Sequence, residues 1–387
     1  MLFSTPALTE HDERVLAEID DLRGRLRFHL REPRRWRGQL RRNLRARAIR
    51  GSNSIEGYDV SLDDAVALLE DEEALDTDRR TVLEIVGYRN ALTYVQELAE
   101  DDHMEVDESL LRSLHFMMLG HDLAKSPGRY RRGQIFVFDE ERQRQVYEGP
   151  DDQLVPGLMK ELVADLAAAT GPVFVRAAMA HLNLVMVHPF RDGNGRMARA
   201  LQTLILARER ILAPEFSSIE EWLGRNTAAY YEVLASAGGG GWYPGRSTRD
   251  WVRFNLTAHH MQAQTVLRRV DDANRMYVAL EAVAERRKLP ERVVNVLYPA
   301  ASGLRVRRPV YEKDAAIEPG TAGRDLRQLV EAGLVEPRGE TRGRFYVGTP
   351  ELVRIRHEAV GERAALRNPY GAGEQLEIAG VVGSSGG

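Results

Sequence analysis

The sequence contains no cysteine, which excludes disulfides, thiolate metal sites and a cysteine nucleophile. No run of about 18 apolar residues occurs, so no membrane-spanning helix and no membrane partner is expected. The opening MLFSTPALTEHDERVLAEID lacks the basic flank and long apolar run of a secretory signal. By default, therefore, the cytoplasm is the expected compartment. Charge of one sign is not in excess: 54 Lys and Arg against 58 Asp and Glu leave a net charge of -4. Any attraction to a polyanion must come from a local surface. Lysine is scarce; the basic residues are nearly all arginine, a mark of base composition more than of function. There is no G-x-x-x-x-G-K-[ST] loop and no H-R-D or D-F-G set, so two common nucleotide-binding designs are excluded.

With 387 residues, 43% of them hydrophobic, the chain can bury a large core in about two or three domains. Apolar residues recur at three- and four-residue spacing through most of it, which predicts a mainly α protein. One stretch breaks the rhythm. Ile135 to Phe138 form a β-prone run, and Val146 with Tyr147 form another after a charged loop, so a small hairpin is predicted there. Ser218 and Glu221 have capping-box spacing. From about residue 285 the order helix, helix, turn, helix and hairpin around RGETRG matches a winged helix-turn-helix. Leu326, Leu329 and Val330 would face inward there, with Thr321, Arg324 and Arg327 outward and Arg338, Arg342 and Arg344 on the wing. Residues 285–350 hold thirteen Lys and Arg against nine Asp and Glu, a modest excess for a DNA reader. Such modules also dock proteins or dimerise, so DNA and a second copy of the chain are both candidate partners. The end of the chain reads as a poorly ordered tail.

The chemistry concentrates in HPFRDGNGRMAR, residues 188–199. A helix should end at His188, because the residue before a proline is driven out of the α region. Phe190 is the large apolar side chain that would anchor the loop. DGNG supplies residues tolerant of positive φ, so backbone N–H groups can converge on one point. A new helix begins at about Gly195 and aims further donors there. Arg196 and Arg199 share a face of its first turn. Cations at the positive end of a helix make sense around a polyanion, which points to a di- or triphosphate. Asp192 is the hard oxygen ligand for a Mg²⁺ that takes its remaining ligands from phosphates and water. His188 is the base in the same loop.

This stretch matches H-P-F-x-[DE]-G-N-G-R-x-x-R, the signature of the Fic family, at every defining position. KSPGRYRRGQIFVF resembles the family's β-hairpin flap, QLVPGLMKELV the helix after it, and SSIEEWLGRNTAAYYEVL the downstream helix with paired tyrosines. The resemblance covers residues 108–260, about two-fifths of the chain. It implies an all-helical catalytic core that transfers AMP from ATP to a Ser, Thr or Tyr hydroxyl of a target protein. By that likeness His188 is the base and Asp192 holds Mg²⁺. Gly193, Asn194 and Gly195 cradle the phosphates, Arg196 lies beside the β-phosphate and Arg199 holds the γ-phosphate. The flap, through Ile135 and Val137, would hold the target by strand addition. Tyr230 or Tyr231 lines the nucleobase pocket or serves the core, both readings being open. Gly195 stands where Doc-type kinases of the superfamily carry lysine. YEGPDDQLV replaces the family's double proline after the flap.

A second match, GSNSIEGYD at 51–59, fits the family's inhibitory pattern [ST]-x-x-x-E-[GN] through Ser52, Glu56 and Gly57. It implies that Glu56 pairs with Arg199, in a bidentate contact, and occupies the γ-phosphate position. The plain alternative is a short helix N-capped at Asn53 and stopped at Gly57. His181 lies seven residues before His188 and reads as core; His259 and His260 read as solvated on a long polar helix. The expected organisation is an N-terminal helical region at 1–107, the core at 108–260, a linking helix at 261–284, the winged helix at 285–350 and a tail at 351–387. The expected function is an auto-inhibited protein adenylyltransferase, self-modification included. A DNA-binding regulator with a nucleotide-sensing core and an enzyme that mainly removes AMP are the alternatives.

Overall fold

The computed structural model describes residues 1–31, 34–139, 144–210, 212–340 and 343–371. Two compact units divide it: residues 1–28, 44–265 and the segment from 366, and residues 29–43 with 266–365. The expected boundary at 107/108 therefore falls inside the first unit, whose core takes Phe3, Val15 and Ile49 together with Leu182 and Leu201.

The first unit contains most of α1 (Glu10–Arg31) and part of α2 (Arg37–Ile55), then α3 (Leu62–Leu69), α4 (Arg79–Glu100) and α5 (Glu108–Leu119). A two-stranded antiparallel hairpin follows, β1 (Phe136–Asp139) and β2 (Arg144–Glu148), with Val137 opposite Tyr147. Next come α6 (Val155–Ala168), α7 (Val173–Val187), α8 (Asn194–Arg208), α9 (Pro214–Ser217), α10 (Glu220–Arg225), α11 (Thr227–Gly238) and the start of α12 (Arg249–Arg286). The expected linking helix at 261–284 is thus part of a continuous 38-residue helix. The hairpin stands where the β-prone runs predicted it. At α10, Ser218 accepts from the N–H of Glu220, while the Glu221 carboxylate accepts from Arg225.

α8 is the centre. Every residue from Arg196 to Ala207 is buried, so its polar side chains cannot reach bulk water and each must find a partner inside the protein. Two close approaches bring those partners in. Gly87 on α4 lets that helix meet α5, since a Cβ there would lie 2.1 Å from the Met118 carbonyl oxygen. Gly51 on α2 does the same against α10, where a Cβ would lie 2.4 Å from the Glu220 carbonyl oxygen. The C-terminal end of α2 is thereby pressed onto the first turn of α8. His259 and His260 are buried, at 4% and 2% exposure, contrary to the solvated reading. Gln202 donates to His259, and His260 meets Glu18.

The second unit runs α13 (Val294–Ala301), β3 (Val306–Arg307), α14 (Arg308–Ala315), α15 (Pro319–Glu331), β4 (Val335–Arg338), β5 (Phe345–Gly348) and α16 (Pro350–Val360). Its sheet has the antiparallel order β3-β5-β4. Leu326 and Leu329 are buried, whereas Val330 is half-buried. Asp325, also buried, accepts from Arg292 and Tyr311 and so ties α15 to its neighbours. Helix α16 and the buried Tyr370, whose hydroxyl donates to Asp12 at 3.0 Å, lie in the stretch read as a tail. Residues 372–387 and Arg342 lie outside the described residues.

Candidate active site

Helix α7 ends at Val187, and His188 takes a left-handed conformation, φ 50° and ψ 57°. Pro189 accounts for the exit from the α region, but the left-handed basin costs a non-glycine residue about 1–2 kcal/mol. That strain folds the ring back onto the last turn, where Nδ1 lies 3.1 Å from the Val185 carbonyl oxygen. A carbonyl only accepts, so Nδ1 carries the proton and Nε2 the lone pair. Burial, helped by nearby Arg131, pushes the His188 pKa down to about 4 against the pull of the Val185 bond. At neutral pH the ring is an uncharged base with Nε2 available.

The loop behind it is over-determined. Phe190 is fully buried and stacks on His115 with ring centroids 3.8 Å apart. His115 accepts at Nδ1 from the Gly128 N–H and donates from Nε2 to the Asp192 carbonyl, each at 2.8 Å. Arg131 donates to the carbonyls of His188, Gly133 and Pro150, joining the loop to the base of the hairpin. Tyr147 of β2 donates to the Met186 carbonyl at 2.7 Å. Ile135 lies just before β1 and packs against Gly149; Val137 is half-buried within the strand.

The loop glycines do different jobs. Gly193 has φ 76° and is the residue before the helix; of DGNG it is the one with positive φ. Gly195 is helical and supplies room, since a Cβ there would lie 2.5 Å from Glu56 Oε1. Asn194 does not offer its side chain to a ligand: its amide both donates to and accepts from the backbone of Phe190, each at 2.9 Å. The cradle expected of this loop rests on backbone N–H groups.

Arg196 and Arg199 are each 1% exposed. Arg199 donates from Nε to Ser52 Oγ at 2.7 Å and from Nη2 to the Ser52 carbonyl and to Glu56 Oε1, at 3.0 and 2.7 Å. The expected Glu56–Arg199 pair is present, but through one nitrogen and one oxygen. Nη1 is buried with no hydrogen-bond partner among the described residues, as is Nε of Arg196. The alternative N-cap reading of this segment does not hold, because it is the C-terminal end of α2. Gly57, with φ 81°, stops the helix as expected. Burial works against the Arg199 charge, but Glu56, Tyr230 and Tyr88 outweigh it and raise its pKa.

Tyr230 is 1% exposed and donates to His181 Nε2 at 2.9 Å, while His181 Nδ1 donates to Gln202 at 2.6 Å. It belongs to the core network beneath Arg199. Tyr231 is exposed, and its hydroxyl donates to the Ile55 carbonyl at 2.9 Å, tying α11 to the end of α2. Glu84 and Lys125 were not singled out in the sequence. Glu84 on α4 takes Arg196 at 2.5 Å and Lys125 at 2.6 Å. Burial alone would raise its carboxyl, but Arg196 and Lys125 hold it down at about 2. Lys125 also reaches Asp192 Oδ2 at 2.8 Å, and Asp192 Oδ1 accepts from the Gly193 N–H at 2.6 Å. Among the described residues no group of three or more acidic or histidine side chains is arranged to hold a metal ion by itself. A metal here would take Asp192 plus ligand oxygens and water, the coordination Mg²⁺ prefers.

Comparison with known proteins agrees with this geometry. The Fic/DOC family model matches residues 105–206. The chain is 30% identical over 265 residues to protein adenylyltransferase fic-1 of Caenorhabditis elegans, covering 67% of this chain and 48% of the relative. It is 30% identical over 214 residues to protein adenylyltransferase Fic of Nematostella vectensis, covering 52% of this chain and 47% of that one. It therefore spans about half the length of these curated relatives. Among solved structures, a Fic family protein from Desulfovibrio desulfuricans G20 superposes with a TM-score of 0.56 at 26% identity, over 89% of this chain and 98% of the other. Fic-1 of C. elegans, residues 134–508, gives 0.54 at 27% identity, over 66% and 72%. The loop that ends α7 at a strained histidine and opens α8 on two buried arginines thus lies in residues 105–206, which form a domain of the Fic/DOC family.

Proposed function

We propose that the protein transfers AMP from ATP to a hydroxyl of a target protein, and that Glu56 holds it in a restrained state. The observation that carries this reading is the pair of buried, unpartnered donors, Arg196 Nε and Arg199 Nη1, beside a histidine whose Nε2 is unprotonated. Such donors are costly without an acceptor, and the phosphate oxygens of a nucleotide would supply one. The relatives named protein adenylyltransferase support the choice of ATP and of a protein substrate.

In the transfer, the target hydroxyl oxygen forms a bond to the α-phosphorus, the bond from that phosphorus to the bridging oxygen breaks, and pyrophosphate leaves. His188 Nε2 takes the hydroxyl proton. The N–H groups opening α8, with Arg196 and Arg199, bind and orient the polyphosphate. Mg²⁺ held by Asp192 and the nucleotide would neutralise phosphate charge. The edge of β1 away from β2, unpaired among the described residues, would align the target by strand addition. Glu56 restrains the site because its carboxylate lies over the first turn of α8 and on Arg199, where a terminal phosphate would sit. In the alternative direction, AMP removal, the same carboxylate would align the attacking water.

Glu56→Gly should label itself or an added target with radioactive ATP and Mg²⁺, and adding His188→Ala should abolish the label. No transfer in Glu56→Gly, with ATP demonstrably bound, would sink the reading. A second function, duplex DNA binding through a winged helix at 285–350, is supported by the strand order β3-β5-β4 and by exposed Arg324, Arg327, Arg338 and Arg344. It requires anisotropy of a labelled duplex that falls with salt. Among the described residues no helix is long and apolar enough to cross a membrane.

A further inference from the structure

Position 125 carries one of four lysines in a chain with 50 arginines. It closes a short helical turn, Leu123–Lys125, whose following residue Ser126 is left-handed at φ 54°. From there Nζ reaches Glu84 Oε1 at 2.6 Å and Asp192 Oδ2 at 2.8 Å. Every carboxylate oxygen in this corner is spoken for. Glu84 Oε2 takes Arg196, and Oε1 also accepts from Tyr58. Asp192 Oδ1 accepts from the Gly193 N–H within its own loop, and Oδ2 is the oxygen that Lys125 holds, so a metal on Asp192 would lie close to the ammonium. His121, 3.3 Å from Glu84, adds a further nitrogen on the same side.

The charges therefore balance without any metal: two carboxylates face one ammonium and one guanidinium. A divalent cation placed on Asp192 with Lys125 in contact would meet a like charge at close range. A triphosphate removes that conflict, since it brings several negative charges for both cations to share. A compact ammonium on a flexible four-carbon stem can change partners, where a forked guanidinium would hold the carboxylate in two places. The lysine is 16% exposed against 1% for Glu84, so it lies at the open edge of the network and has somewhere to go.

We propose that Lys125 is a displaceable internal cation that keeps divalent metal off Asp192 until the nucleotide's phosphates arrive. It acts as a positioning residue: it holds Asp192 in place in the free protein and makes metal entry depend on nucleotide. This rests on the reading of Asp192 as the metal-bearing residue.

The test is Mn²⁺ binding to the full chain, followed by the electron paramagnetic resonance of free Mn²⁺, first without nucleotide. Lys125→Met should bind at least about tenfold more tightly than wild type, as expected for losing a contacting like charge. Lys125→Arg should stay near wild type, and Lys125→Met with Asp192→Asn should lose the gain. Lys125→Gln carries the same expectation if the methionine variant does not fold. Equal affinity in wild type and Lys125→Met, or a gain that survives Asp192→Asn, overturns the proposal. With ATP added in the Glu56→Gly background, Asp192→Asn should weaken Mn²⁺ binding. If it does not, the reading of Asp192 fails; if it does while Lys125→Met changes nothing without nucleotide, the lysine proposal alone falls.

Discussion

Arg196 and Arg199 stand three residues apart on α8 and are equally buried, yet they are held in different ways. Arg196 meets Glu84, itself 1% exposed and shared with Lys125, Tyr58 and His121. Arg199 meets Glu56, 21% exposed, through a single nitrogen at the end of a helix that stops at Gly57. The first acid is shared among several donors. The second is one carboxylate on the last turn of a helix, reachable by water. Burial of the arginine is the same in both, so the difference lies in the acid. A half-buried, singly bonded carboxylate is exchanged for a phosphate at lower cost than a buried, shared one.

The comparison can be broken by mutation. His188→Ala in the Glu56→Gly background should lower AMP transfer by about 10²–10⁴-fold, the usual worth of a general base, with nucleotide affinity little changed in a binding titration. Glu56→Gly itself should raise transfer by at least about tenfold, a shift of about 1.4 kcal/mol. The sharpest contrast is between two charge removals read by urea unfolding. Glu84→Gln takes the shared acid from both Arg196 and Lys125 and should cost about 3–5 kcal/mol, while Glu56→Gln leaves Arg199 its two bonds to Ser52 and should cost less. Equal losses would mean that the two arginines are not held differently. The smallest expected effect is that of Tyr231→Phe, which removes the bond to the Ile55 carbonyl. Partial release of Glu56 should raise transfer by a few-fold, consistent with about 1 kcal/mol for one hydrogen bond.

Stability against pH tests the site's burial as a whole. His115 and His188 are pushed down to about 4, and His181 and His259 to about 3, all chiefly by burial. An unfolded histidine takes a proton near 6.5, so between that value and about 4 the unfolded chain binds more protons than the folded one. Stability from these groups is thus full above about pH 6.5 and drains away as pH falls. Glu220 acts the other way. Burial, partly offset by Arg199, pushes its carboxyl up to about 7, so its contribution is full below about 4.5 and lost as pH rises through 7. With four histidines against one acid, melting temperature should fall steeply from pH 6.5 to 5. A flat profile there would mean that these rings are more open to water than the structure shows.

The loop at 188–199 was legible in the sequence because its chemistry is local. A proline ends one helix, Gly193 turns the chain, and two arginines three apart share a face of the next helix. The Glu56–Arg199 pair was legible only through resemblance, since no local rule joins residues 143 positions apart. His259 and His260 were misjudged because a polar helix face reads as solvated until the elements packed on it are known.

By itself, the sequence determined where the chain turns, which residues can form helices, and that a glycine-containing turn and two arginines follow a histidine. Periodicity, glycine and proline act over a few residues, so they can be read in order. Only the tertiary structure decided which acid answers each arginine. A buried cation selects whatever carboxylate packing delivers to it, and Glu84, Lys125 and Arg131 resemble many other charged residues until α4, the turn at 123–125 and the hairpin are brought to the first turn of α8.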